Sequence, residues 1–125
     1  GAAYVATATL SHLEDFALKL ARARDKSKEG LAYVHVFAPC VMGWRIESDM
    51  AIEICRMAVR TNYFPLWEAE NGQFRITQQV ARPRPVTDLL KSIPKFRHLK
   101  EAELSEFQEM VNNRYAIIQK LSGAG

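Results

Sequence analysis

The sequence predicts an α/β fold: a partial parallel sheet built on a β-α-β unit, flanked by helices, with a β-hairpin and a long C-terminal helix. Three observations lead there. Residues 31–38, "LAYVHVFA", are apolar at nearly every position, as expected of a strand covered on both faces. A strand-like stretch and then a helical stretch precede it, which gives strand–helix–strand order and a right-handed crossover. Finally, Asn71-Gly72 separates two short segments of β character, the strongest local signal for a two-residue hairpin turn.

The elements follow in order. Residues 2–10, "AAYVATATL", are rich in small and β-branched side chains and read as a short strand. Ser11 and Glu14 then stand at capping-box spacing, and Leu13, Phe16, Ala17, Leu20 and Arg24 recur at helical intervals. Gly30 supplies the break before the apolar strand at 31–38. Ser48 or Asp49 is placed to cap the helix "MAIEICRMAVRTN", whose stripe of Ile52, Cys55 and Val59 is widened by Ala51, Ile54 and Ala58. Asn62 is its expected end. In the hairpin, a type I′ turn pairs Glu70 with Gln73, Ala69 with Phe74, Glu68 with Arg75, and Trp67 with Ile76. "ARPRPV" is stiffened by its prolines into an extended connector. A short helix, "VTDLLKSI", is stopped by Pro94. The last helix carries Leu104, Phe107, Val111, Tyr115, Ile118 and Leu121 on one stripe. The whole reads as one domain, 1–125, with an α/β core and hairpin over 1–80 and a proline connector and helices over 81–125.

Composition narrows the class. The chain has 125 residues, 48% of them apolar and 25% charged, which suits one soluble globular domain. No apolar run approaches the ~20 residues of a membrane span. The net charge of +3 is modest, and its basic clusters, "RPRPV" and "KFRHLK", are interspersed with acids, so a nucleic-acid partner is not expected. Two cysteines make no disulfide framework, and a reducing, cytoplasmic setting is expected. The start lacks a basic leader region and reads as a strand entered abruptly, as if cut from something longer.

Few residues are placed for chemistry. Ligands of open parallel sheets gather beyond the carboxyl ends of the strands. The strand at 31–38 ends just before Pro39 and Cys40, so this thiol stands at the rim, positioned either to bind metal or to fill space. Cys55 lies on an apolar helix stripe and reads as core. His35 falls inside the apolar strand and reads as a core or interface histidine. His12 reads as solvent-facing in a first helical turn, and His98 as a weak anion or interface candidate. Glu68 and Glu70 alternate on a strand and read as solvated. No nucleotide-binding glycine loop, nucleophile elbow or zinc-helix motif occurs.

The segment "YVHVFAPCVMGWR" (33–45) resembles the A-P-C-x-x-G-W segment of the thiamine-diphosphate-binding β chain of 2-oxoacid:ferredoxin oxidoreductases, most closely the pyruvate branch, pyruvate synthase. "YVATAT" and its helix, "AIEICRMAVRTNYFPLWEAENGQFRIT", and "RPRPVTDLLKSIPKFRHL" resemble what surrounds that segment. The likeness runs over residues 3–115 or so.

That resemblance implies a thiamine-diphosphate-binding fold. It also implies an enzyme that decarboxylates pyruvate or a related 2-oxoacid and captures the acyl group on coenzyme A. Electrons would leave through [4Fe–4S] clusters to ferredoxin or flavodoxin. Cys40 occupies the position of the family's fourth cluster cysteine. Val41 and Met42 stand where Pro-Thr is common, while Met42, Gly43 and Trp44 would shape the loop around the cluster. The family's early C-x-x-C and its G-D-G…N motif for Mg²⁺ and the diphosphate have no counterpart here. The chain is therefore expected to be the C-terminal portion of a longer β chain, inactive alone and with no catalytic acid or base of its own. Its expected partners are the other oxidoreductase subunits, gripped by the connector and terminal helix, and a further copy of itself paired along an open sheet edge or through the last helix. Branched-chain, aryl or 2-oxoglutarate substrates are alternatives within the family. A stand-alone interaction module is the alternative outside it.

Overall fold

The computed structural model describes residues 1–123, so the last two residues of the 81–125 segment lie outside it. Strand β1 (Tyr4–Thr9), helix α1 (Leu13–Lys26) and strand β2 (Ala32–Phe37) form the expected β-α-β unit, with β1 and β2 parallel from Tyr4↔Ala32 to Thr9↔Phe37. Strands β3 (Trp67–Glu70) and β4 (Gln73–Ile76) form the hairpin. All four predicted cross-strand pairs are present. Asn71 and Gly72 take φ values of 51° and 82°, the left-handed conformations a type I′ turn demands.

The sheet differs from expectation in one respect. Its order is β2-β1-β3-β4, and β3 runs antiparallel to β1, so the four strands form a mixed sheet. The sequence pattern could not reveal this, because a hairpin can dock either way against its neighbour. It also puts β2 at the edge, so β2 is not the doubly covered strand its composition suggested. Leu31 just before it is 69% exposed, Tyr33 is exposed too, and so is His35, which sets aside the core reading of that histidine and leaves the interface one. The unbroken apolar run remains suited to burial, yet no described element covers its outer side.

Helix α1 lies across β1 and β2 but turns an unexpected face inward. Lys19 is only 1% exposed, while Leu13 and Leu20 of the predicted stripe point out, Leu13 being 66% exposed. The expected capping box is absent: His12 is the N-cap, and Ser11 Oγ sits 2.8 Å from His12 Nδ1 instead of on the helix amides. The reciprocal half of such a box does occur elsewhere, where Lys100 N–H donates to Glu103 Oε2 at 2.8 Å, at the start of the last helix.

Past β2 come a one-turn helix α2 (Val41–Trp44), a 3₁₀ turn (Ser48–Met50) and helix α3 (Ala51–Arg60). Neither Ser48 nor Asp49 caps α3 with its side chain, since the 3₁₀ turn leads straight into it. Ile54, Cys55, Ala58 and Val59 of its stripe are buried, but Ile52 is exposed. Asn62 ends the helix at φ 59°, as expected. The connector delivers the chain to α4 (Val86–Lys91), and a 3₁₀ turn (Pro94–Phe96) precedes α5 (Glu101–Leu121).

The main apolar cluster joins Ile46, Ile54, Ala58, Val86, Leu89, Leu90, Ile93 and Val111. Helices α3, α4 and α5 thus share one core, and the terminal helix belongs to it through Val111. A hydrogen bond and an aromatic stack lock the same contact: Val86 N–H donates to Gln108 Oε1 at 2.7 Å, and Tyr63 stacks on Phe107 with ring centroids 5.9 Å apart.

Candidate functional site

The carboxyl ends of β1, β2 and β4 share one rim of the sheet, because β1 and β2 are parallel and β4 reverses a strand that is itself reversed. Cys40 stands at this rim, three residues beyond the end of β2, with its side chain exposed. Its backbone is extended, and its sulfur acts as the N-cap of α2, accepting the Gly43 N–H at 3.2 Å. Trp44 N–H returns to the Cys40 carbonyl at 2.9 Å, and Arg45 closes the turn in the left-handed conformation at φ 57°. The thiol is therefore held by a tight loop of six residues.

Two side chains anchor that loop from below. Trp44 lies 5.9 Å from the Phe37 ring and 6.1 Å from Phe96, pinning the loop between the end of β2 and the 3₁₀ turn at 94–96. Met42 is 89% exposed and holds nothing. Gly43 lets the sulfur lie close: a Cβ there would stand 2.9 Å from Cys40 Sγ, so the sulfur would have to shift. The resemblance gave Gly43 a part in shaping this loop, but not this N–H···S bond.

As a metal ligand, Cys40 can offer one soft donor, open to solvent and already accepting a backbone hydrogen bond of the kind that tunes iron–sulfur centres. Cys55 is fully buried on α3 and cannot join it. Among the described residues no three His, Cys, Asp or Glu side chains converge as a metal site. This segment thus fits one corner of a cluster and supplies no donor set for Mg²⁺. Of the histidines, His35 lies edge-on to Phe64 at 5.3 Å, and His98 is exposed on the turn after Phe96. His12 is half-buried, and its imidazole is pushed below its ordinary value by burial and by the charges of Arg56, Lys19 and Arg60, against the pull of Asp15.

Behind the rim lies a polar network the sequence only half disclosed. Glu68, read as solvated, is 7% exposed. Its carboxylate accepts from Tyr4 OH at 2.6 Å, from Arg22 at 2.8 and 2.9 Å, and from Arg75, the predicted cross-strand partner. Burial alone would raise the Glu68 carboxyl, but the donors from Tyr4, Arg75 and Arg22 outweigh it and hold it below its ordinary 4.5. Burial and Glu68 together push the Tyr4 phenol up. Lys19 donates to the Thr7 carbonyl at 2.9 Å, to Asp15 at 2.7 Å and to Thr77 Oγ1 at 2.7 Å, clamping α1 to both β1 and the end of β4. Burial lowers its ammonium and Asp15 partly restores it. Every buried side-chain polar atom among the described residues finds a partner. The one signal in the sequence for Lys19 was Asp15 four residues earlier.

No family model matches the chain. Individual proteins do. It is 40% identical over 118 residues to the pyruvate synthase subunit PorB of Methanocaldococcus jannaschii, covering 94% of this chain and 39% of that one. It is 37% identical over 121 residues to the ketoisovalerate oxidoreductase subunit VorB of Pyrococcus furiosus, covering 95% and 38%. It is 39% identical over 121 residues to the beta subunit of the NADH-dependent phenylglyoxylate dehydrogenase of Aromatoleum evansii, covering 96% and 27%. The chain thus spans less than half the length of each of these relatives. Along nearly all of the present residues, the chain is thus similar to a stretch of these oxidoreductase subunits.

Proposed function

We propose that these residues form part of the β subunit of a 2-oxoacid:ferredoxin oxidoreductase and that Cys40 is their one ligand to a [4Fe–4S] cluster. The complete enzyme would oxidatively decarboxylate a 2-oxoacid to an acyl-CoA and CO₂, with thiamine diphosphate and Mg²⁺ held by residues outside this segment. The observation that carries the reading is the Cys40 loop: an exposed thiol at the sheet rim, held by an N–H···S bond inside an A-P-C-x-x-G-W segment. When bound, the cluster would carry electrons singly from the cofactor towards ferredoxin or flavodoxin. The residues of this chain would orient the sulfur, through Gly43 and Trp44, and hold the loop against the sheet.

The A-P-C-x-x-G-W form favours pyruvate, while relatives named for three different substrates match almost equally well. The proposal is therefore made for the 2-oxoacid class, with pyruvate first. Assembly with further subunits is part of the same reading, and the open edge of β2 and the outward leucines of α1 are where they, or a second copy, would sit.

Anaerobic purification of the native assembly containing this chain tests the reading directly. Bound thiamine diphosphate, cluster iron and coenzyme-A-dependent reduction of a viologen dye are expected with at least one of pyruvate, 2-oxoisovalerate, phenylglyoxylate and 2-oxoglutarate. Absence of dye reduction with all four would overturn it. A finer measurement concerns Gly43. A Gly43→Ala side chain would force the sulfur to swing away and break the N–H···S bond. That donor stabilises the extra negative charge of a reduced cluster, so its loss should move the midpoint potential to a more negative value in a potentiometric EPR titration. An unchanged potential would detach Cys40 from the cluster.

A further inference from the structure

The four asparagines of the chain stand in different chemical settings, and Asn71 alone combines exposure with a following glycine. Asn62 also holds a left-handed backbone, but it is 7% exposed and Tyr63 follows it. Asn112 and Asn113 are exposed but lie inside α5, where the amide nitrogens that follow them are spent on helical hydrogen bonds. Gln108 also holds the Asn112 side chain at 2.9 Å. Asn71 and Gly72 form the exposed tip of the β3–β4 hairpin. The Asn71 N–H donates to the Ala3 carbonyl at 3.1 Å, whereas the Gly72 N–H reaches no backbone acceptor among the described residues. A Cβ added at Gly72 would meet nothing within 4 Å, so the approach to its nitrogen is open.

That juxtaposition is reactive. A backbone nitrogen that has lost its proton to base can attack the side-chain carbonyl carbon of the preceding asparagine, and glycine is the residue least able to obstruct it. The new bond from the Gly72 nitrogen to Asn71 Cγ closes a five-membered succinimide. The Cγ–Nδ2 bond breaks, and ammonia carries away the amide nitrogen. Water then opens the ring. Addition at Cγ leaves aspartate. Addition at the former peptide carbonyl leaves isoaspartate, with the main chain rerouted through the β-carbon. Either route exchanges an amide for a carboxylate, consumes water, releases ammonia and moves no electrons.

We infer that the Asn71-Gly72 turn is a site of spontaneous deamidation and that its isoaspartyl product unlatches the hairpin. The two products differ in consequence. Aspartate tolerates the left-handed backbone that Asn71 holds at φ 51°, so the turn survives it. Isoaspartate lengthens the main chain by a carbon inside a loop whose two-residue length sets the strand register. Glu70, beside the tip, is paired across to Gln73 and to Tyr4, and it meets Lys26 at 2.9 Å. Two residues further along β3, the Glu68 carboxylate gathers Tyr4 OH, Arg22 and Arg75. A splayed tip therefore loosens β3 on both sides and reaches the network that ties α1 to the hairpin. None of this depends on what Cys40 ligates.

The test is to hold the native assembly in mildly alkaline buffer, sample it over weeks, and map its tryptic peptides by mass spectrometry. The peptide 61–75 carries both Asn62 and Asn71, so Asn62 serves as an internal control. A mass rise located on Asn71 is expected. Chromatography should resolve two products, and an isoaspartate-specific methyltransferase should label one of them. Asn62, Asn112 and Asn113 should stay unchanged. Asn71→Gly keeps a turn-forming pair and has no side-chain amide to lose, so its peptide should hold a constant mass. Aged wild type enriched in isoaspartate should melt below fresh protein, while fresh Asn71→Asp should melt close to wild type. No conversion of Asn71 over a period in which the synthetic peptide 61–75 converts fully would overturn the assignment. So would modification falling equally on the other asparagines. Aged protein rich in isoaspartate yet melting like fresh protein would overturn the unlatching.

Discussion

Replacing Cys40 with alanine in the native assembly is expected to remove cluster iron and to lower 2-oxoacid-driven electron transfer on the order of 10²-fold or more, since altering even the outer shell of a metal site costs 10–100-fold. The expectation rests on geometry and donor count. Cys40 is the exposed cysteine of this chain, and no neighbouring His, Asp or Glu is grouped with it to take over its place. Cys55→Ala is the matched control. Its sulfur is buried within α3, so iron content should stay at the wild-type value. Iron analysis with EPR of the reduced protein reads both outcomes. Full iron in Cys40→Ala would end the cluster assignment.

The second large effect concerns stability. Glu68→Ala should cost about 2–4 kcal/mol, because it strands the buried Tyr4 hydroxyl and removes the one carboxylate shared by Arg22 and Arg75. The two arginines are partly exposed and can return to water, so the upper end of the buried-pair range is not expected. In a chain of this length the loss corresponds to a fall in Tm on the order of 10 °C. The pH dependence has a definite sign. Glu68 titrates below its ordinary 4.5 in the folded chain, so its contribution is fully present above that value and disappears as pH falls through the lowered one. Tyr4 titrates above its ordinary 10.0, so its part is present below that value and fades as pH rises through the raised one. Wild type and Glu68→Ala should therefore differ most between these limits and converge in acid. Thermal melts followed by circular dichroism across pH would check this. Glu70→Ala, which removes an exposed carboxylate from the same strand, should change little.

What the sequence disclosed follows from which interactions are local. The hairpin was legible pair by pair, because Asn71-Gly72 sets its register without help from elsewhere. The β-α-β unit was legible because its order and spacing suffice. The mixed sheet was not, since pairing between β1 and β3 joins residues more than sixty positions apart with no periodic signature. Glu68 was misjudged for the same reason. Its cross-strand partner Arg75 was visible, but Tyr4 and Arg22 reach it only after the sheet is assembled. The leucines of α1 misled differently. They are spread around the helix, and Lys19, an unpromising candidate for burial, faces the sheet because the Thr7 carbonyl, Asp15 and Thr77 can all satisfy it. Of the site, the position of Cys40 just past the rim of the sheet was legible. The N–H···S bond required the fold.

The sulfur hangs from the outermost strand, and that has a dynamic consequence. Alternate backbone groups of β2 face away from β1, with nothing described beyond them to bond. Its amides should trade deuterium faster than those of β1, and the loop three residues on should share that breathing. A neighbour zipped along the vacant side would slow the exchange and narrow the space Cys40 explores, so occupancy of a sheet edge would govern how firmly that side chain is presented.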